Sequence, residues 1–490
     1  MLNYIWLGLV LCAVLIGGWN DQLKEVADKS LSMAKDAVMD IALPLVGVMA
    51  LWLGIMRLAE RAGLVAVLAR LLRPLLRRLF SDVPPDHPAM GSMLMNMAAN
   101  MLGLGNAATP LGLRAMKDLE SLNPRPGTAT NAMCTFLAIN TSSIQLIPVT
   151  AIAILVANKS TNPSAIVGTA LIATICGCTS AVTMAKLLEK LPWFRLPPLT
   201  ASDDGLELDE VGRARLSQRT AATQIPNGAL GQTRPTMPPT EEAKPEEGKT
   251  VAATKPENDK PAVKEAATLQ PLAWWGAVIM AAYGLFFAWL FLRLAFPTLV
   301  GVAMTEELVK QSTFVRIVGA ISKLSIPLML SVFPLYAMLR RVKVYEEFVD
   351  GAKEGFDVAI RIIPYLVAIL VAIGMFRAAG GIDLLSRALA PVMQAVGFPT
   401  DLLPLVLMRP LSGSGTLGIF TELVKQFGPD SLIARTGGTI FGSTETTFYV
   451  LAVYFGSVGI KQTRYALLAG LTADFAGVVV SIIVCKLMFG

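Results

Sequence analysis

The chain has 490 residues, 54% of them hydrophobic and 16% charged, with a formal net charge of +6 and a mean hydropathy of +0.57. Stretches such as 164–185, 272–297, 362–376 and 465–485 carry few charges and show no polar face. A helix apolar all round is buried or in lipid, which excludes an ordinary soluble protein. The modest basic excess suits a membrane protein with basic cytoplasmic loops and gives no case for nucleic-acid binding.

Apolar runs long enough to span a bilayer need about 20 residues, and roughly nine are present, so the expected fold is an all-α polytopic membrane protein. The first run, 2–18, has no basic segment before it and no clear cleavage site before Trp19, so it reads as an uncleaved first span. LPLVGVMALWLGIMR then ends a span at Arg57. The stretch 64–80 alternates Arg70, Arg73, Arg77 and Arg78 with leucines. It is too short and too charged to span, and reads as an interfacial helix against lipid headgroups, or else as the vestibule of an anion site. His87 lies in a PPDHP surface turn. The segment 88–116 is broken at Gly103-Leu104-Gly105 and reads as a re-entrant hairpin; a second polar interruption, AINTSSIQ, covers 138–145. One clean apolar span closes this half.

Residues 196–269 are rich in Pro, Glu, Lys, Thr and Ala and have no apolar periodicity. They cannot bury enough surface to fold, which predicts a disordered cytoplasmic linker between two membrane halves, 1–195 and 270–490. The second half opens with two spans. IPYLVAILVAIGMFR follows and ends at Arg377, then an amphipathic stretch at 383–397. A hairpin at 400–424 is broken by PLSGSGTLG at 410–418, GSTETTF interrupts the chain at 442–448, and a last span closes the half.

The two halves repeat each other. Pro44 to Arg57 and Pro364 to Arg377 both measure 13 positions, with Gly54 and Gly374 in register. Arg70 pairs with Arg387 and Pro74 with Pro391, and a Gly-x-Gly break follows in each half. The correspondence runs over about 130 residues, too long for coincidence. Lys24, Lys29 and Lys35 precede the Arg57 span, while six arginines, from Arg57 to Arg78, end or follow it. Arg340, Arg341, Lys343, Lys353 and Arg361 precede the Arg377 span, and only Arg377 and Arg387 end or follow it. Basic residues favour the cytoplasm, so the repeats are expected to have inverted topology. With both hairpins re-entrant, the N-terminus and linker fall in the cytoplasm of a bacterial inner-membrane protein and the C-terminus outside.

Non-helical backbone at membrane depth is tolerated only where it lines protein or a water-filled cavity. Matched interruptions in two repeats are the sequence pointer to a transporter's binding site. The first interruptions offer Asn100, Asn106 and Thr109 in one half, with Ser412, Ser414 and Thr416 in the other. The second offer Asn140, Thr141, Ser142, Ser143 and Gln145, set against Ser443, Thr444, Glu445 and Thr446. Hydroxyls and amides suit a small, polar, roughly neutral solute such as a nucleoside, sugar, amino acid or small peptide. The competing reading is that these groups only cap or glue half-helices. Glu445 is the one acid inside the interruptions and Asp474, in LTADFAG, lies in the last span. Intramembrane acids are candidates for H⁺ or Na⁺ coupling or for holding a substrate amine. Arg409 stands just before the second-half break, placed either to face a carboxylate or phosphate or to snorkel.

No GxxxxGK[ST] is present, the only histidine is His87, and Cys12, Cys134, Cys176, Cys178 and Cys485 all lie in apolar segments. The sequence therefore predicts no enzyme, disulfide framework, metal or cofactor. At NMLGLGNAATPLGLRAM, PLSGSGTLGIF and GSTETTFYVLAVYFGSVG the chain resembles the spore maturation protein families A (1–195) and B (about 272–490) joined end to end, both within the nucleoside recognition, or Gate, domain family. That resemblance implies membrane gates like those of ferrous iron transporter B and of parts of concentrative nucleoside transporters. The absence of a GTPase motif and of cysteines in the four breaks argues against iron. The resulting expectation is an inner-membrane secondary transporter of a small polar solute, a nucleoside among the candidates, working by alternating access. A non-transporting scaffold or sensor, a passive channel, and assembly as a homo-oligomer stay open.

Overall fold

The structure is a computed structural model that describes residues 2–103, 105–142, 144–194, 196, 272–301, 303, 309, 311–381, 384, 387 and 398–490. The predicted linker, save Leu196, and most of the second amphipathic stretch lie outside the described residues, as do Ser143 and the side chain of Asn106. Among the described residues there are 17 α-helices and no strand. The first half contributes α1 (Leu2–Trp19), α2 (Leu23–Asp36), α3 (Leu43–Arg61), α4 (Leu64–Leu79), α5 (Pro88–Met101), α6 (Gly105–Glu120), α7 (Asn131–Ser142), α8 (Val149–Ala157) and α9 (Ile166–Leu188). The second contributes α10 (Trp274–Ala295), α11 (Thr313–Leu339), α12 (Val344–Ala378), α13 (Leu403–Met408), α14 (Gly413–Phe427), α15 (Leu432–Ser443), α16 (Thr447–Gly456) and α17 (Ala466–Phe489).

The aligned prolines mark corresponding long helices. A π-helical turn, Ala37–Ala42, joins α2 to α3 immediately before Pro44. Proline has no N–H to give the preceding turn, and a locally widened turn absorbs that loss. Pro364 occupies the matching place inside α12, a single helix of 35 residues. The two long rods pack antiparallel on each other. A Cβ on Gly351 would lie 2.6 Å from the Leu53 carbonyl oxygen, and one on Gly355 2.6 Å from Ala50 Cα. Backbones in lipid approach this closely only over small residues, where van der Waals contact replaces the missing hydrophobic drive. Arg57 and Arg61 close the end of the pair on Glu347 at 3.1 Å each.

The halves exchange elements. The α1 helix runs along α12 of the second half: Trp6 Nε1–H donates to the Ala368 carbonyl at 2.8 Å and Asn20 Nδ2–H to Ala379 at 3.0 Å. Reciprocally, α11 lies against α9: Ser322 Oγ accepts from Gly168 N–H at 3.0 Å. The closing helices α9 and α17 pack together and run antiparallel. Thr439 of α15 touches both the start of α9, through Thr169 at 2.8 Å, and the end of α17, through Cys485 at 3.2 Å. In the middle of that crossing, α17 backbone passes 3.3 Å from where a Gly177 Cβ would stand.

Two loop contacts repeat the exchange. The loop after α16 docks on the α6–α7 loop: Ala129 N–H donates to the Gln462 carbonyl and Gln462 N–H to Gly127, both at 3.0 Å. The loop after α8 docks on the α14–α15 loop through Asp430. That carboxylate accepts from the Ser160 hydroxyl at 2.7 Å, the Thr161 N–H at 2.9 Å and the Thr161 hydroxyl at 2.8 Å. Partial burial alone would raise the Asp430 carboxyl; these hydrogen bonds, with Arg435, outweigh it and hold the group well below the usual carboxylate range.

The sequence reading counts roughly nine span-length runs. Four helices among the described residues are long and apolar enough to cross a membrane: Pro163–Leu188, Trp274–Ala295, Thr313–Leu339 and Ala466–Phe489. Shorter apolar helices cover Trp6–Trp19 and Leu366–Ala378. Polar interruptions shorten several of the remaining runs. They cut other apolar runs into half-helices of 12 residues in α7, 9 in α8, 12 in α15 and 10 in α16, each short of the about 20 residues a crossing needs. The 64–80 stretch does form one amphipathic helix. Val65, Ala69 and Leu76 are buried, while Leu71, Leu75 and the arginines are exposed.

Gly355→Leu should wedge α3 from α12 and lower stability by about 1–3 kcal/mol, as overpacking does, read as a loss of monodisperse protein on heating in detergent. A depressed carboxyl stabilises the fold above its unfolded pKa of about 3.9, and that contribution drains away as pH falls towards the folded value. The wild-type melting temperature should therefore drop below about pH 4. Asp430→Asn should melt lower at pH 7 and show a smaller drop.

Candidate functional site

Each helix break is a local consequence of its residues. Pro410 cannot donate an amide hydrogen, and the chain leaves α13 there. Ser412 is extended, with φ −154° and ψ 117°, and its Oγ accepts the Gly415 N–H at 3.0 Å, which starts α14. Serine is among the best residues for that capping position. In the first half the break lies at Leu102 and at Gly103, whose φ of +76° is open to glycine. The α5 and α6 helices then return antiparallel, tied by the Asn96 amide to the Ala108 carbonyl at 2.8 Å and by the Ser92 hydroxyl to Asp118.

The four breaks meet. Leu146 N–H donates to Met101 O at 3.0 Å, which stitches the second break of the first half to the first. Phe448 N–H donates to Pro410 O at 3.0 Å, the corresponding stitch of the second half. Glu445 N–H donates to Thr141 O at 2.8 Å and the Gln145 amide donates to Glu445 Oε1 at 3.0 Å, which join the halves. Beside these stitches is a cavity of about 270 Å³. Arg409, Glu445, Gln145, Thr150 and the first turn of α14 at Gly413 and Ser414 provide its polar lining; Pro148, Leu417 and Phe441 provide apolar walls.

Of the residues singled out from sequence, Gln145, Ser414 and Glu445 face this cavity. Others serve the helix ends. The hydroxyls of Thr141, Ser142, Thr416 and Ser443 donate to carbonyls three or four residues back in the chain, and Ser412 is the cap of α14. Asn100 donates to Asn140 at 2.9 Å, and both line a separate, largely apolar cavity of about 300 Å³ beneath α4. Thr109 is half-buried in α6 and Thr446 is buried beside Gly413. Tyr454 stacks on Phe136 and Tyr449 is exposed, so neither ring belongs to the cavity wall. Arg409, read from sequence as facing an anionic group or else snorkelling, lies in the cavity wall, where α13 ends. The signal for it was an arginine beside a proline-glycine break inside an apolar stretch.

Asp474 lies one layer behind the cavity, in α17, at 6% exposure. Thr447 donates to its Oδ2 at 2.6 Å, while Oδ1 and the nearby Thr444 hydroxyl are buried and without a hydrogen-bond partner. A buried carboxyl group with one oxygen unpartnered is a candidate position for a proton or a small cation. Among the described residues no cluster of three metal-ligating side chains occurs.

A family model described as nucleoside recognition (Gate) matches residues 42–159 and 359–461, so each matched segment carries both breaks of its half. Spore maturation protein B of Bacillus subtilis (strain 168) is 47% identical over 175 residues, 36% of this chain and 98% of that protein. Spore maturation protein A of the same organism is 43% identical over 186 residues, 38% of this chain and 94% of that protein. No solved structure matches the chain.

Thr447→Val removes the one hydrogen bond that Asp474 accepts among the described residues. A buried carboxylate left without partners costs about 1–3 kcal/mol or more, so the variant should melt measurably lower in detergent. Thr447→Val combined with Asp474→Leu should lose less than the sum of the single changes, because both polar partners are then gone.

Proposed function

The chain belongs to the Gate, or nucleoside-recognition, family of membrane proteins, joining a segment similar to spore maturation protein A to one similar to spore maturation protein B, and from that premise we propose that it is a secondary transporter of a small polar solute. The observation that carries this reading is the meeting of four helix breaks, three of which line one cavity that holds Gln145, Arg409 and Glu445. Broken helices from two repeats, meeting at a site, are how transporters place free carbonyls and helix ends against a solute. A nucleoside is the class that the family description suggests. Glu445 contacts the solute or its coupling ion, and Asp474 behind it carries a coupling H⁺ or Na⁺. Gln145 and Ser414 complete the solute's hydrogen bonds.

The working units in this reading are an N-terminal Gate half, 1–195, a cytoplasmic linker, 196–269, and a C-terminal Gate half, 270–490. The halves are inverted repeats, a reading supported by antiparallel α9 and α17 and by the reciprocal loop contacts. The ion pairs of Arg57 and Arg61 with Glu347 join the end of α3 to the start of α12, which supports a common, cytoplasmic position for both basic segments. The N-terminus is then cytoplasmic and the C-terminus outside, in a bacterial cytoplasmic membrane. Alternating access follows from one half rocking on the other about the α3–α12 and α9–α17 crossings.

Flux into proteoliposomes under imposed proton and sodium gradients tests the proposal, with labelled nucleosides, amino acids and dipeptides as solutes. Gradient-driven uptake should fall at least about tenfold in Glu445→Gln, the equivalent of an interaction worth about 1.4 kcal/mol, while folded yield is unchanged. Flux that ignores the substitution would move the site elsewhere. Flux without gradient coupling would mean a channel, and no flux of any solute would favour a scaffold.

A further inference from the structure

Taking the central cavity as the solute site, we propose that the solute is a small carboxylate, with its anionic end seated between the Arg409 guanidinium and the first turn of α14. Arg409 is 4% exposed. Its Nη2–H donates to the Phe441 carbonyl at 3.0 Å, and the guanidinium carbon lies 4.8 Å from the centre of the Phe441 ring. Its Nε is buried and has no hydrogen-bond partner.

Several other arginines packed between helices are answered by acids: Arg57 and Arg61 by Glu347, Arg377 by Glu422 at 2.7 Å, and Arg435 by Asp430 at 3.4 Å; Arg464 instead donates to the Ala129 and Phe194 carbonyls and to Asn131 Oδ1. Among the described residues no carboxylate forms an ion pair with Arg409. The charges of Glu445 and Asp474 reach it only from further off. A desolvated guanidinium with a free donor is a built demand for an anion, and its planar fork fits a carboxylate.

A second, independent source of positive potential meets it. The α14 helix is 15 residues long and begins at Gly413 and Ser414 in the cavity wall. The Ser412 cap engages the Gly415 amide, and Gly413 and Ser414, the two residues before it, are in the cavity wall. Helix N-termini carry partial positive charge, and glycine lets an oxyanion come close to the backbone. Glu445 on the same cavity limits the class. A dianion would be repelled by it, whereas a monocarboxylate with an ammonium or hydroxyl at its other end gives Glu445 a donor. The cavity's 270 Å³ has room for an amino acid or a similarly small acid.

The test uses the full chain in detergent, with melting followed at constant ionic strength against acetate, glycine and the neutral isostere acetamide. Acetate and glycine should raise the melting temperature saturably and acetamide should not. In Arg409→Gln the acetate response should weaken at least tenfold. Glycine should exceed acetate, and Glu445→Gln should erase that difference. Should Arg409→Gln fail to fold, Ser414→Leu keeps the arginine but fills the seat, and should abolish the acetate response.

Acetate acting no better than acetamide on the wild type, or equally on the wild type and the seat variants, would overturn the inference. Binding and transport are read apart. Gradient-driven flux of a neutral nucleoside without acetate binding would sink the carboxylate seat alone. Acetate binding without flux of any solute would sink the transport reading alone.

Discussion

The structure depends on one constraint: a backbone N–H or C=O inside a bilayer must find a partner in the protein. Four helix breaks expose such groups, and they satisfy one another. Met101, Pro410 and Thr141 offer carbonyls; Leu146, Phe448 and Glu445 offer amides. No break is complete without another, so the breaks have to gather at one place. The cavity is the space left beside that gathering, and its polar lining follows from it.

The same logic accounts for the interlocked halves. Each half brings a long proline-bearing rod, α2–α3 or α12, and the two rods close on each other over glycines rather than over side chains. Leading helices cross to the opposite half, and loops at the far ends of α8 and α16 dock on their counterparts. Two proteins similar to spore maturation proteins A and B, if folded separately, would each expose rods and loops that need the other. A single chain carrying both supplies each half with its partner at high effective concentration, since a tether turns the second association into an intramolecular one.

Charge inside the bundle divides into two kinds. Arg57, Arg61, Arg377 and Arg435 are matched by acids and hold helices together. Among the described residues Arg409, in the cavity wall, forms no ion pair, and Asp474, behind it, keeps one carboxyl oxygen without a hydrogen bond. A charged group without an ion-pair partner in a low-dielectric interior is costly, and such a group is a candidate functional position.

By itself the sequence determined the helical class, the membrane setting, the two-fold repetition and the location of all four breaks, because hydropathy, proline position and Gly-x-Gly runs are local properties of the chain. Glu445 and Gln145 were legible for the same reason, as polar residues inside interruptions. What only the tertiary structure decided is which polar groups share a space. Thr141, Ser142, Thr416 and Ser443 have the composition of binding residues, yet their hydroxyls are used by carbonyls of their own chain segments. Asn100 and Asn140 satisfy each other under α4. Arg409 joined the cavity through the end of α13 and the packing of α15 against it, a contact between residues 32 apart in sequence. Hydrogen-bond partnership and burial depend on neighbours distant along the chain, and periodicity along one segment carries no information about them.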